Sequence, residues 1–208
     1  MNEKLVIIFT RNPELGKCKT RLAASIGNKN ALEIYKKLIQ HTSQCVQQVR
    51  ADAVVFYTEK IQLKDAWPDE DFQKQVQIKG HLGEKMQAAF EWGFAKGYTK
   101  ICIVGSDLFS LETSDINEAF LQLEKTDLVF GPAEDGGYYL MGMKKLHPEA
   151  FLNKAWSTKM VLKETLEVLQ RKSVTLLPIK NDIDTLEDLM KHSELHQFIP
   201  KQVRRKLL

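Results

Sequence analysis

A chain of 208 residues with 30 Lys and Arg against 27 Asp and Glu carries a net charge of +3, and 43% of its residues are hydrophobic. These figures describe one ordinary globular domain over 1–208, and 11 glycines and 6 prolines are too few for a collagen-like or low-complexity chain. A chain this long buries about 70% of its unfolded surface, enough for a core without disulfides, and a charge of +3 is too small to point to a nucleic-acid partner.

Residues 4–10 are a β-branched run that stops at Arg11-Asn12-Pro13, and Pro13 turns its predecessor away from helix, so a buried strand leading into a loop is expected. From 30 to about 50, Ala31, Leu32, Ile34, Tyr35, Leu38 and Ile39 follow helical spacing. Residues 53–57 form another buried strand and 76–78 a weak one. Met86, Ala89, Phe90 and Phe94 predict a helix over 82–94 that ends before Gly97, and 101–104 is a strong strand closed by Gly105. Ser114 is expected to cap a helix to about 124, with a strand over 127–130. Turn chemistry fills 131–137 before the apolar stretch 138–143. Ser157 or Thr158 is then expected to cap a helix to about 170, 174–179 a strand, and the chain is helical again from Thr185. Strands alternating with helices imply an α/β fold, a mostly parallel, doubly wound sheet covered on both faces.

Cys18, Cys45 and Cys102 match neither a zinc pattern nor a disulfide framework, which fits a reducing cytoplasm. The apolar run 5–9 is too short for a signal peptide or a bilayer span, so neither export nor a membrane is expected. Lys201, Arg204, Arg205 and Lys206 make a basic end that a solvated helix explains.

In open α/β sheets, ligands bind beyond the carboxyl ends of the strands. The loop after the first strand carries Arg11, Lys17, Lys19 and Arg21, with Pro13 and Gly16 keeping it irregular and Thr20 free to cap or bind. That suits an anion cradle, although a solvated basic loop would have the same composition. It is not a P-loop, because Gly16-Lys17 is followed by Cys18. Gly105-Ser106-Asp107 puts an acid where the strong strand ends, and Asp182-Ile183-Asp184-Thr185 adds carboxylates before the last helix. Turn and capping roles would explain each alone. Two acids facing a basic loop would together suit magnesium, which binds one or two carboxylates plus substrate phosphates. Asp135-Gly136-Gly137-Tyr138 is either a hairpin turn or a close backbone approach to a ligand. His192 and His196 lack the HExxH context for zinc, and no Ser, Cys or His stands where an enzyme nucleophile would.

Asn12-Pro13-x-x-Gly16-Lys17-x-Lys19-Thr20-Arg21-Leu22, Leu82-Gly83-Glu84-Lys85-Met86, Gly105-Ser106-Asp107, Gly131-Pro132-Ala133-x-Asp135-Gly136-Gly137-Tyr138, Trp156-Ser157-Thr158 and Asp182-Ile183-Asp184-Thr185 follow one another from residue 4 to about 190. In this order they resemble the bacterial glycosyltransferase-A-like transferases called radical-SAM/selenodomain-associated. Those are similar to phospholactate guanylyltransferase and, more distantly, molybdenum-cofactor guanylyltransferase. The resemblance implies a three-layer nucleotide-diphospho-sugar-transferase (GT-A) fold. It places a nucleoside triphosphate over the first strand and an acceptor nearer the later loops. Carried over, Gly16, Lys17, Lys19 and Arg21 would hold phosphates, with Thr10, Arg11 and Thr20 completing the nucleotide site. Asp107 and then Asp184 would bind Mg2+ or Mn2+, Leu82-Gly83 would approach the base or ribose, and Asp135, Gly136, Gly137 and Tyr138 would line the acceptor pocket. The sequence departs from the family at Phe109, where proline is usual, and from sugar nucleotidyltransferases proper at Arg11-Asn12-Pro13, where they have GxGxR.

The resulting expectation is a magnesium-dependent transfer of a nucleotidyl group to a small anionic acceptor, with release of pyrophosphate. Glycosyl transfer from a nucleotide sugar is the alternative, although no DxD pair follows the central strand and Asp182-Ile183-Asp184 comes much later in the chain. A nucleotide-binding protein without catalysis is the third.

Overall fold

The computed structural model describes residues 2–156 and 158–205. A seven-stranded sheet in the order β3-β2-β1-β4-β6-β5-β7 runs through the chain. Its strands are β1 (Lys4–Thr10), β2 (Asp52–Tyr57), β3 (Phe72–Val76), β4 (Lys100–Gly105), β5 (Leu128–Pro132), β6 (Tyr138–Met143) and β7 (Val174–Leu176). Only β6 runs antiparallel to its neighbours β4 and β5. The α-helices are α1 (Thr20–Ile26), α2 (Asn28–Gln47), α3 (Leu82–Ala95), α4 (Thr113–Gln122), α5 (Val161–Val168), α6 (Leu186–Met190) and α7 (Lys201–Arg204).

The period of two along each strand sorts its side chains between two covered faces. Val6 and Ile8 of β1, with Val55, Cys102 and Val129, pack against Tyr35 and Ile39 of α2 and Ile116 and Phe120 of α4. Leu5 and Ile7, with Val54, Ile103 and Phe130, pack against Met86 and Phe90 of α3. The alternating residues 5–8 are all fully buried, which is why β1 is an unbroken apolar run. A third cluster joins α1, α2 and α6 through Leu22, Ile34, Ile183 and Leu189. The expected three-layer, mostly parallel α/β architecture is thus present. No helix among the described residues is long and apolar enough to cross a membrane.

The differences are local. Helix α1 was not expected: Lys19, at its N-cap, takes a left-handed φ of 48° and gives no side-chain cap, so no N-terminal signal precedes it. Strand β3 lies earlier than 76–78. It is an edge strand whose Gln73-Lys74-Gln75 centre carries no apolar pattern. Glu112, not Ser114, sits at the N-cap of α4, and the Ser114 hydroxyl donates to the Glu112 carboxylate at 2.9 Å. Helix α5 starts only after Met160, because the Thr158 hydroxyl donates to the Ala155 carbonyl at 2.7 Å. Ser157 and Lys206 lie outside the described residues. Strand β7 stops at Leu176, and its line continues only as a single bridge between Ala133 and Lys180.

Candidate active site

The carboxyl ends of β1, β2 and β4 form a crest on which the charged residues converge. Strand β1 ends at Thr10, and a buried hydroxyl network fixes that end. The Ser106 hydroxyl donates to Thr10 Oγ1 at 3.0 Å, while the Tyr35 hydroxyl of α2 accepts from the Arg11 amide at 2.9 Å and lies 3.2 Å from Ser106 Oγ. Asn12 is buried. It donates to the Lys60 carbonyl at 2.7 Å and accepts from the Glu59 amide at 3.0 Å, tying the loop after β1 to the loop after β2.

Beyond Gly16 the chain swings the Lys19 side chain inward. The side chain is only 4% exposed, and its ammonium donates to Asp107 Oδ2 and Asp184 Oδ1, each at 2.9 Å. A left-handed non-glycine residue costs about 1–2 kcal/mol, and these two charge-assisted bonds hold it there. Burial by itself would depress the Lys19 pKa, but Asp107 and Asp184 outweigh it and raise the pKa instead. Arg21 caps the other oxygen of Asp184 at 2.5 Å from solvent.

Asp107 stands in the loop after β4. Phe109, two residues on, wedges between His41 of α2 and His192, with ring centroids 5.0 and 5.3 Å away. The aromatic stack anchors this loop where a proline would have stiffened it. The second acidic segment is held by its own pattern. Ile183 is fully buried, so its neighbours Asp182 and Asp184 share the opposite side of an extended chain. The Asp188 carboxylate accepts from the Thr185 amide at 2.9 Å and fixes the turn into α6.

Asp107, Asp182 and Asp184 each offer an oxygen, all within 4.8 Å of one another. Burial, followed by the neighbouring Asp184, pushes the Asp182 carboxyl up to about 6. Crowded carboxylates of this kind are hard oxygen donors that fit a divalent cation. The Lys19 ammonium, already seated between two of them, shows that the cluster attracts positive charge.

Two cavities open on this cluster. The larger, about 670 Å3, is lined by Thr10, Arg11, Lys17, Lys19, Thr20, Arg21, Leu82 and Asp107, together with Thr58, Gln77 and Lys85. The smaller, about 320 Å3, takes in Asp135, Gly137, Tyr138 and Asp182 and shares Phe9, Arg21, Leu82 and Asp107 with the first. Gly16, Gly83 and Gly136 do not line either cavity. Gly16 supplies the turn, at φ 77°. Gly83 seats the Trp156 ring, since a Cβ there would lie 2.6 Å from Trp156 Cζ2. Gly136, at φ 87°, lies against the Lys159 backbone and accepts from the Leu162 amide at 3.2 Å.

The cations differ in their commitments. Lys17 is on the rim, paired with Glu14 at 2.7 Å and within 3.8 Å of Glu59. Lys19 and Arg21 are held by carboxylates. Among the described residues, Arg11 and Lys85 line the larger cavity without a carboxylate within 4.0 Å. The sequence reading assigned no role to Lys85 and none at the metal to Asp182. The only sequence signals were the Leu82-Gly83-Glu84-Lys85-Met86 motif and the two-residue spacing of Asp182 and Asp184.

The pattern of a family described as an uncharacterized protein conserved in bacteria (DUF2064) matches residues 40–158. No curated protein matches the chain. Among solved structures, a protein of Desulfovibrio desulfuricans G20, provisionally described as a nucleotide-diphospho-sugar transferase, is 30% identical. It covers 99% of this chain and 95% of its own length, with a TM-score of 0.86. CMP:2-keto-3-deoxy-manno-octonic acid synthetase complexed with CTP is 11% identical, covering 93% of this chain and 98% of its own, at a TM-score of 0.58. Rv0371c from Mycobacterium tuberculosis H37Rv, in complex with manganese, is 14% identical, covering 91% and 97%, at a TM-score of 0.54. The last two likenesses show the fold alone.

Proposed function

The chain belongs to the bacterial DUF2064 family, and from that premise we infer that this transferase moves a nucleotidyl group from a nucleoside triphosphate to a small anionic acceptor. The observation that carries the reading is the convergence of Asp107, Asp182 and Asp184 with Lys19 and Arg21 at the point where the two cavities meet. A triphosphate in the larger cavity and an acceptor in the smaller would bring their reacting atoms together there. Distant structural neighbours solved with CTP and with manganese support a nucleotide substrate and a divalent cation.

The acceptor oxygen attacks the α-phosphorus, the bond from that phosphorus to the β-phosphate oxygen breaks, and pyrophosphate leaves with the electron pair. The substrate brings the nucleophile, so the enzyme contributes position and charge. Arg11 and Lys85 bind the phosphate chain. Arg21, exposed at the surface and shared by both cavities, stabilises the negative charge that builds on the departing pyrophosphate. Lys19 fixes the orientation of Asp107 and Asp184. Those two residues, with Asp182, would hold a Mg2+ or Mn2+ ion, which supplies Lewis-acid charge neutralisation at the phosphate oxygens when bound. The buried free thiols fit work in the cytoplasm.

Glycosyl transfer remains the second reading because the fold brings Asp182-Ile183-Asp184 beside Asp107. Incubating the protein with each nucleoside triphosphate or nucleotide sugar, with and without magnesium, and analysing the products separates the readings. GTP is the first to test, given the motif resemblance to phospholactate guanylyltransferase. Pyrophosphate release that depends on acceptor and metal is the expected result. Nucleoside diphosphate formed from a nucleotide sugar would replace this reading with glycosyl transfer. Binding without product from any donor would leave a nucleotide-binding protein.

A further inference from the structure

The wall of the smaller cavity is largely apolar: Phe9, Leu82, Met86, Leu108, Val161 and the Trp156 ring all face it. Its polar atoms are largely spent on the protein itself. The Tyr139 hydroxyl donates to the Pro178 carbonyl at 3.2 Å, the Thr158 hydroxyl to the Ala155 carbonyl at 2.7 Å, and Asp135 Oδ1 accepts from the Gly137 amide at 2.8 Å. Asp107 and Asp182 belong to the carboxylate cluster at the mouth. One donor is idle. The nearest partner of the Tyr138 hydroxyl is the Met86 sulfur, at 4.0 Å, a weak acceptor. Burial pushes the Tyr138 pKa up, so the proton stays in place at physiological pH.

A sugar brought into such a space would surrender hydrogen bonds to water at several hydroxyls and regain few of them. An apolar group loses nothing by the same move and releases water from the wall. The volume of about 320 Å3 admits a single ring or a short chain.

We propose that the smaller cavity selects an acceptor with an apolar body, aromatic or aliphatic, whose anionic end meets Arg21 and whose far end can offer one acceptor atom to the Tyr138 hydroxyl. This deepens the nucleotidyl-transfer reading and rests on it for the role of the cavity.

The test uses phosphate monoesters that share one head group: phenyl phosphate and hexyl phosphate against glucose 1-phosphate and ribose 5-phosphate. Binding is titrated calorimetrically on the whole protein with magnesium and a non-hydrolysable triphosphate analogue, and pyrophosphate release is followed separately with the natural triphosphate. The apolar esters are expected to bind at least tenfold more tightly than the sugar phosphates. Val161→Thr, which adds a hydroxyl to the wall at nearly constant shape, is expected to narrow that ratio. 4-Acetylphenyl phosphate is expected to bind more tightly than phenyl phosphate, and Tyr138→Phe to remove the difference. Sugar phosphates that bind as tightly as the apolar esters would overturn the proposal. A tenfold preference without pyrophosphate release would support the apolar cavity while overturning nucleotidyl transfer, so the two failures are distinguishable.

Discussion

The two halves of the sheet crest meet ligands in different ways. Over β3-β2-β1-β4 every strand points its carboxyl end at the larger cavity, so its lining comes largely from the strand ends and from the loops and helices that follow them. Loops and first helical turns can be charged, and this half presents Arg11, Lys17 and Lys19 from the loop after β1, Arg21 from α1 and Lys85 from α3. In the other half, β6 runs backwards between β4 and β5 and places its first residues, Tyr138 and Tyr139, on the crest. There a ligand meets the body of a strand, whose side chains are the apolar ones that the sheet core demands. One reversed strand thus divides the crest into a polar cavity and an apolar one, with Asp107 on the border. A site that must handle a polyanion and a differently built second substrate is served by that division.

The largest expected effect lies on the border. Asp107→Asn removes a charge that both cavities share, and turnover should fall by about 10³-fold or more. The fold should survive, because the Asp107 side chain is 45% exposed and carries no part of the core. Steady-state rates beside a thermal melt check both halves of this expectation. Near wild-type turnover would remove Asp107 from the chemistry.

Next in size is the ion that already sits in the cluster. Lys19→Met leaves three neighbouring carboxylates without their buried counter-charge. Breaking a buried pair costs about 3–5 kcal/mol, and the partial exposure of Asp107 and Asp184 reduces this to about 2–3 kcal/mol. A divalent cation should restore most of the loss, so the melting shift produced by magnesium or manganese should be larger in Lys19→Met than in the parent. A variant that is as stable as the parent, with an unaltered metal shift, would show that the cluster does not depend on Lys19.

The same cluster sets a pH dependence. Asp182 titrates at about 6 when folded, against an ordinary value of 3.8, with Asp184, Asp107, Asp135 and Lys19 facing it. The folded chain therefore holds this proton more tightly than the unfolded one. This group's contribution to stability is complete below about pH 4 and is lost as pH rises through about 6. The loss is on the order of 2–3 kcal/mol. Denaturant melts at pH 4.5 and 7 should show it for Asp182 when compared with Asp182→Asn, which has no such slope. The cation should bind more tightly above pH 6, where the cluster carries its full charge.

How much of this was legible in the sequence follows from where each signal resides. Strands β1 and β4 announce themselves because burial on both faces leaves an unbroken apolar run. Asp107 and Asp184, and the cations from Arg11 to Arg21, stand in loops at strand ends, where chain order alone already places them near one another. Helix α1 and strand β3 were hidden, the one because a left-handed lysine at its N-cap gives no capping signal, the other because an edge strand needs no apolar pattern. The motif glycines mark the limit most clearly. Gly83 stands in a recognisable motif, yet its service is to Trp156, which only the folded chain brings against it. The availability of a cation was equally hidden, since it depends on which carboxylates fold beside it.

That last point yields the smallest of the expected effects and the sharpest contrast between the cavities. By composition, Lys17 looks the equal of any other cation in its loop, but it is already held by Glu14 and Glu59. Arg11 and Lys85 line the same cavity with no such partner among the described residues. A cation that must leave a carboxylate to reach a phosphate returns less binding energy than one that is free. Arg11→Ala and Lys85→Ala should each weaken triphosphate binding about tenfold, equivalent to about 1.4 kcal/mol, and Lys17→Ala by less. None of the three lines the smaller cavity, so the affinity for phenyl phosphate should stay within about twofold of the parent's. Calorimetric titrations of both ligands against the three variants test the ranking. A Lys17→Ala loss that exceeds the Arg11 and Lys85 losses would mean that Lys17 abandons its carboxylates when the nucleotide binds, and the phosphates would then be assigned to Lys17 instead.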